Sequence, residues 1–127
     1  MYEYKAVITN IVDGDTFDVD IDLGFNIHIH ERVRLLDIDT PEKFGEEKVL
    51  GLIVKQYAIN NFLGKEAIIK SEKADVAADT DSFGRWLVRV NVNDCDICSL
   101  YNSLGINKKS SSYREDNILH LKVEWSD

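Results

Sequence analysis

Five side chains able to do chemistry stand in three short segments: Asp13-Gly14-Asp15-Thr16, Arg34-Leu35-Leu36-Asp37-Ile38-Asp39-Thr40-Pro41-Glu42 and Phe83-Gly84-Arg85. Two carboxylates at strand ends, Asp15 and Asp39, can converge on a hard cation, with the Thr40 carbonyl and waters supplying the remaining oxygens. An oxygen donor set without His or Cys suits calcium or magnesium rather than zinc. Arg34 and Arg85 offer planar, permanently charged donors matched to phosphate oxygens. Glu42 can orient or deprotonate a water. Phosphodiester hydrolysis needs these parts: an attacking water, donors for the charge that builds on the phosphoryl oxygens, and a means of holding both in place.

Each segment also has a purely structural reading. Asp-Gly-Asp-Thr is good turn chemistry, Thr40-Pro41 can open a helix, and Gly-Arg can begin a strand. The ordered combination of all three, with these residue types, favours chemistry.

The elements that must position these residues are legible from periodicity. Tyr4 to Val12 reads as a strand. Phe17, Val19, Ile21 and Leu23 alternate with Asp18, Asp20 and Asp22, a second strand with one wet face. A turn at Gly24-Phe25-Asn26 leads into a third strand, through Ile27 and Ile29 and then Val33 to Ile38, ending near Asp39 before Thr40-Pro41. Val49, Leu50, Ile53, Val54, Tyr57, Ala58 and Phe62 recur at three and four residues and predict the main helix, stopped by Gly64. Strands resume at about Ala67 to Glu72 and Trp86 to Val92 around a polar loop, Lys73 to Ser82. A short helix from Asp96 to Leu104 closes at Gly105, and Leu119, Leu121, Val123 and Trp125 alternate as a final strand. Five short strands with a helix between the third and fourth predict an OB-fold barrel in an α+β chain, with one long and one short helix.

Other acidic clusters read as surface. Asp18, Asp20 and Asp22 begin like a calcium loop but place Leu23 sixth and Ile29 twelfth, so a solvated strand face explains them better. Asp79-Thr80-Asp81-Ser82-Phe83-Gly84 is expected to be a substrate-side loop. His28 and His30 share one strand face without a third ligand.

The ordered set D-G-D-T, R-L-L-x-I-D-T-P-E and F-G-R resembles the staphylococcal nuclease (thermonuclease-like) family, over roughly Tyr4 to Lys108. The resemblance implies a staphylococcal-nuclease-like barrel and a metal-dependent nuclease that hydrolyses DNA or RNA to 3′-phosphate ends. It implies calcium held by Asp15, Asp39 and Thr40, with Arg34, Glu42 and Arg85 catalytic and Asp13 supporting the metal ligands. Where family members often carry a basic residue and a tyrosine before Gly-Arg, this chain has Ser82 and Phe83. Of two tyrosines that commonly line the base pocket, Ser111 stands at one place and Tyr113 at the other, so Phe83 and Tyr113 are the expected substrate contacts. The family's final helix looks replaced by the alternating tail.

Bulk properties set the limits. A chain of 127 residues, 44% hydrophobic and 30% charged, is expected to form a single domain over residues 1–127. No apolar run approaches membrane-spanning length and no export signal is seen, so a cytoplasmic monomer is expected, or a secreted one if the chain is a processed fragment. Cys95 and Cys98 read as two reduced, ordinary thiols. The net charge of −8 opposes tight non-specific binding of a polyanion, yet a bound cation inverts the local electrostatics. The alternative function is a non-catalytic OB-type module that binds nucleic acid or protein.

Overall fold

The computed structural model describes residues 2–71 and 85–126. β1 (Tyr2–Asp13), β2 (Thr16–Asp22), β3 (His28–Leu35), β4 (Glu66–Ser71) and β5 (Trp86–Val92) form one sheet in the order β3-β2-β1-β4-β5. A parallel pairing of β3 with β5, Val33 to Trp86 through Leu35 to Val88, closes it into a five-stranded barrel. A two-residue strand, β6 (Cys95–Asp96), lies outside on β5. The fold is OB-like, as the strand pattern predicts.

β1 pairs with β2 on one side and β4 on the other, and register shifts at Ile8/Asn10 and Ile11/Asp13 break its pairing with β2. Such bulges increase local bend and twist, which lets one long strand serve both sides of a small barrel. Inward residues alternate along the strands, so that Ile8, Phe17, Val19, Val33 and Val90 are fully enclosed. α1 (Lys48–Phe62) caps this interior with Val54, Ala58 and Phe62. The ring of Phe62 lies 6.2 Å from Phe17 and 6.4 Å from Tyr101, which belongs to α2 (Ile97–Leu104). Asp96 accepts from the Cys98 amide at the start of α2, and Gly105 ends it with φ of 71°.

Three expectations need correction. β3 ends at Leu35 rather than Ile38: the Leu36 amide donates to Val88 O, and Asp37 then adopts a left-handed φ of 57°, which turns the chain out of the sheet before Asp39. The tail does not form a strand. Residues 115–119 form a third helix, α3 (Glu115–Leu119), with two acids in its first turn and Ile118 fully buried, and residues 120–126 run on without regular structure. An alternating sequence needs a ladder partner to become a strand, and the tail instead meets the side of α1, where the Asn60 side chain donates to Glu124 O and accepts from Glu124 N. The helices therefore number three in the described residues rather than one long and one short, with a single 3-10 turn at Gly45–Glu47 before α1. The loop Lys73 to Ser82 lies outside the described residues.

Cys95 is exposed, Cys98 is buried, and neither is bonded to another cysteine. Burial first, and the nearby Asp96 carboxylate second, push the Cys98 thiol from its ordinary 9.0 up to about 12. Complete burial likewise holds the Tyr101 phenol well above 10. Both groups fold in their neutral forms. A raised folded-state pKa gives stability that is whole below the unfolded pKa and is lost as pH rises, here from about 9 towards 12. Urea unfolding at pH 7, 9 and 10.5 is expected to show stability falling above pH 9, by up to about 1.4 kcal/mol per pH unit from one such group. Cys98→Ala is expected to flatten that decline; an unchanged slope would show that the thiol does not titrate in this window.

Candidate active site

The sequence segments of interest meet at one end of the barrel. Thr16 pairs with Arg34 in the β2–β3 ladder, and Arg34 pairs with Leu87 in the parallel β3–β5 contact. The Asp15 hairpin corner, Arg34 and the start of β5 therefore share one edge. A cavity of about 200 Å³ opens there, lined by Asp13, Asp15, Arg34 and Arg85 and by the Asp39-Thr40-Pro41-Glu42 loop.

Asp15 is buried, at 7% exposure. One carboxylate oxygen accepts from the Thr40 amide at 3.1 Å, and the other accepts from the Thr16 hydroxyl at 3.0 Å. Arg34 Nη2 stands 3.5 Å from Asp15 Oδ2 and 3.4 Å from Asp39 Oδ1, and donates to Ile38 O at 3.3 Å. Both carboxylates thus reach a common point. Arg85 Nη1 donates to the Thr16 hydroxyl at 3.3 Å, so Thr16 links the second arginine to Asp15. Glu42 is exposed at the cavity rim, and Asp13 sits 3.4 Å from Lys43 Nζ.

Asp15 and Asp39 supply hard anionic oxygens of the kind calcium or magnesium takes, and each places one oxygen against the Arg34 guanidinium that stands between them. Among the described residues no group of three or more His, Cys, Asp or Glu side chains gathers closely enough to hold a metal by itself.

The remaining expected contacts divide. Tyr113 is half-buried and does not line the cavity, although Asp39, Glu47 and Lys108 all lie within electrostatic reach. Burial first, then Glu115 and Glu47, raise its phenol pKa. Phe83, Ser82 and the Asp79–Gly84 stretch lie outside the described residues. The Asp18 and Asp20 side chains engage on the strand surface: Asp18 takes a two-pronged contact from Arg32 at 2.7 and 3.2 Å, which lowers its pKa, and Asp20 meets His28 at 3.2 Å.

Several supporting residues carried no sequence signal. Tyr101, fully buried, donates its hydroxyl to Gly14 O at 2.7 Å and so fixes the hairpin corner from below. Lys43 Nζ donates to Val12 O at 3.0 Å. The Asp39 amide donates to Asn107 Oδ1 at 2.9 Å, and Asp39 O accepts from the Lys108 amide at 2.8 Å. Lys108 Nζ donates to Glu47 at 3.0 Å and lies 4.0 Å from Asp39 Oδ2. Partial burial pulls the Lys108 pKa down, but the Glu47 hydrogen bond and the charges of Asp39 and Glu47 outweigh it, so the ammonium is held charged. Gly51 alone could have been suspected, as a glycine inside a helical pattern.

No family model matches the chain. It is 36% identical over 94 residues to Protein ParB of Escherichia coli, a stretch that is 72% of this chain and 44% of that protein. The chain thus spans less than half the length of the curated relative it matches.

α1 supports both halves of the cavity. A Cβ at Gly51 would collide with the Glu42 carbonyl, and one at Gly14 would collide with Val54. Gly51→Ala should raise helix propensity by roughly 1 kcal/mol. The collision costs about 1–3 kcal/mol and shifts the Glu42 loop. Urea denaturation is expected to show net destabilisation; a stabilised Gly51→Ala protein would mean that the helix does not press on the loop.

Proposed function

We propose that the chain is a calcium-dependent phosphodiesterase acting on DNA or RNA, of the staphylococcal nuclease kind. The observation that carries this reading is the meeting of Asp15, Arg34, Asp39, Glu42 and Arg85, drawn from segments up to 70 residues apart, around one small polar cavity.

In this reading a phosphodiester enters the cavity with its non-bridging oxygens towards Arg34 and Arg85. Their fixed donors meet charge as it develops, and such donors are worth about 10²–10³ in rate apiece, by analogy with oxyanion-hole donors. Glu42, exposed on the rim, takes a proton from the attacking water. The water oxygen bonds to phosphorus as the bond to the 5′ oxygen breaks, leaving a 3′-phosphate and a 5′-hydroxyl that takes its proton from solvent. A cation on Asp15 and Asp39 would orient the phosphate and offset the negative charge of the carboxylates.

The resemblance in ordered motifs supports this reading. The net charge of −8 is the feature that favours the alternative, a non-catalytic OB-type module, because an acidic chain gains little from polyanion attraction away from the site.

Cleavage of single-stranded DNA and RNA should be measured with calcium, with magnesium and with chelator. Calcium-dependent cutting is expected, abolished by chelator, and reduced about 10²–10³-fold in Arg34→Ala at a temperature where that variant, destabilised by the loss of a partner to buried Asp15, is still folded. Absence of cutting under every metal, with binding retained, would establish the binding module instead.

A further inference from the structure

We infer that Asn107 is the positioning residue that sets Asp39 towards the cavity, so that the segment after α2 is part of the functional site. This deepens the proposed function and rests on Asp39 acting there.

The geometry is specific. Asn107 is 3% exposed and does not line the cavity. Its Oδ1 accepts from two amides, Asp39 N at 2.9 Å and Lys109 N at 3.1 Å. Its Nδ2 donates to Asp37 O at 3.1 Å and to Asn102 Oδ1 at 2.8 Å. One buried amide therefore satisfies a backbone acceptor and a backbone donor on either side of Ile38, in the turn where Asp37 holds a left-handed φ of 57°. The neighbouring Lys108 amide takes the Asp39 carbonyl, so both backbone polar groups of Asp39 are bound by residues 107 and 108.

A side chain that reaches its target through a free backbone can rotate away; here the backbone has nowhere to turn. Buried groups left without partners are expensive, so any rotation of the Asp37–Asp39 backbone that breaks these bonds is disfavoured. Because Arg34 touches Asp39 Oδ1 and Ile38 O, the same clamp also fixes one side of the arginine. Groups that orient metal ligands from behind typically change metal affinity or activity 10–100-fold when removed.

The test compares the full chain, Asn107→Ala and Asn102→Ala. Asn102 is exposed, and its loss leaves Asn107 in place while removing the acceptor that orients its Nδ2. Three quantities are read: hydrogen exchange of the Asp39 amide in metal-free protein, calcium affinity by calorimetry with calcium chloride alone, and kcat and KM on single-stranded DNA. Asn107→Ala is expected to speed exchange at Asp39 at least 10-fold, weaken calcium binding about 10-fold and lower kcat more than it raises KM. Asn102→Ala should move the same quantities by a smaller factor with its fold intact. A lowered unfolding midpoint with unchanged Asp39 exchange and calcium affinity would overturn the inference, leaving Asn107 a structural residue only. If the parent chain neither binds calcium nor cuts, the nuclease reading fails by itself, and the exchange rate at Asp39 still decides whether Asn107 clamps it.

Discussion

A buried carboxylate at one end of the barrel, that of Asp15, is the point through which the surrounding chain segments are tied together. Removing a charge from water costs several kcal/mol unless partners replace its hydration. Asp15 obtains those partners from the Thr40 amide, the Thr16 hydroxyl and the Arg34 guanidinium. Satisfying that one group therefore draws the 38–40 loop, the first residue of β2 and the inner part of β3 to one place. Arg85, just before β5, is joined to the same set through Thr16, and β5 meets β3 where the barrel closes.

The supporting parts follow from this. α1 crosses beneath the hairpin and the Glu42 loop, with Val54 against Gly14 and Gly51 against the Glu42 carbonyl, so helix packing and site geometry cannot vary independently. Tyr101 spends its buried hydroxyl on Gly14 O, which ties α2 to the same corner. The 105–109 segment holds Asp39 from the other direction. A small cavity lined by charged groups is thereby bordered by closely packed or hydrogen-bonded neighbours on several sides.

The strongly acidic character of the chain takes on a local meaning in this setting. Part of the acidity lies on the β2 face, where Asp18 and Asp20 are engaged by Arg32 and His28. Asp15 and Asp39, in contrast, face into the cavity, where Arg34 touches both carboxylates and Lys108 Nζ lies 4.0 Å from Asp39 Oδ2.

Strand identity, the main helix, the Asn26 turn and the Gly105 stop were readable because each depends on local periodicity or on a backbone conformation that few residues adopt, and Asp15, Arg34, Asp39, Glu42 and Arg85 could be singled out by residue type while their meeting around one cavity could not. The end of β3 was misplaced, since Leu36 and Ile38 look like strand residues and only the hydrogen bond from Leu36 to Val88 and the left-handed Asp37 turn the chain away. The tail was misread because alternation specifies a strand only where a partner edge exists, and α1 offers the side chain of Asn60 instead. By itself the sequence determined the five barrel strands, the main helix and which side chain types could do chemistry, all being matters of neighbours along the chain. Only the tertiary structure decided that Thr16, Gly51 and Asn107 serve those side chains, because a hydrogen bond or a close approach between residues dozens of positions apart leaves no periodic trace in the sequence.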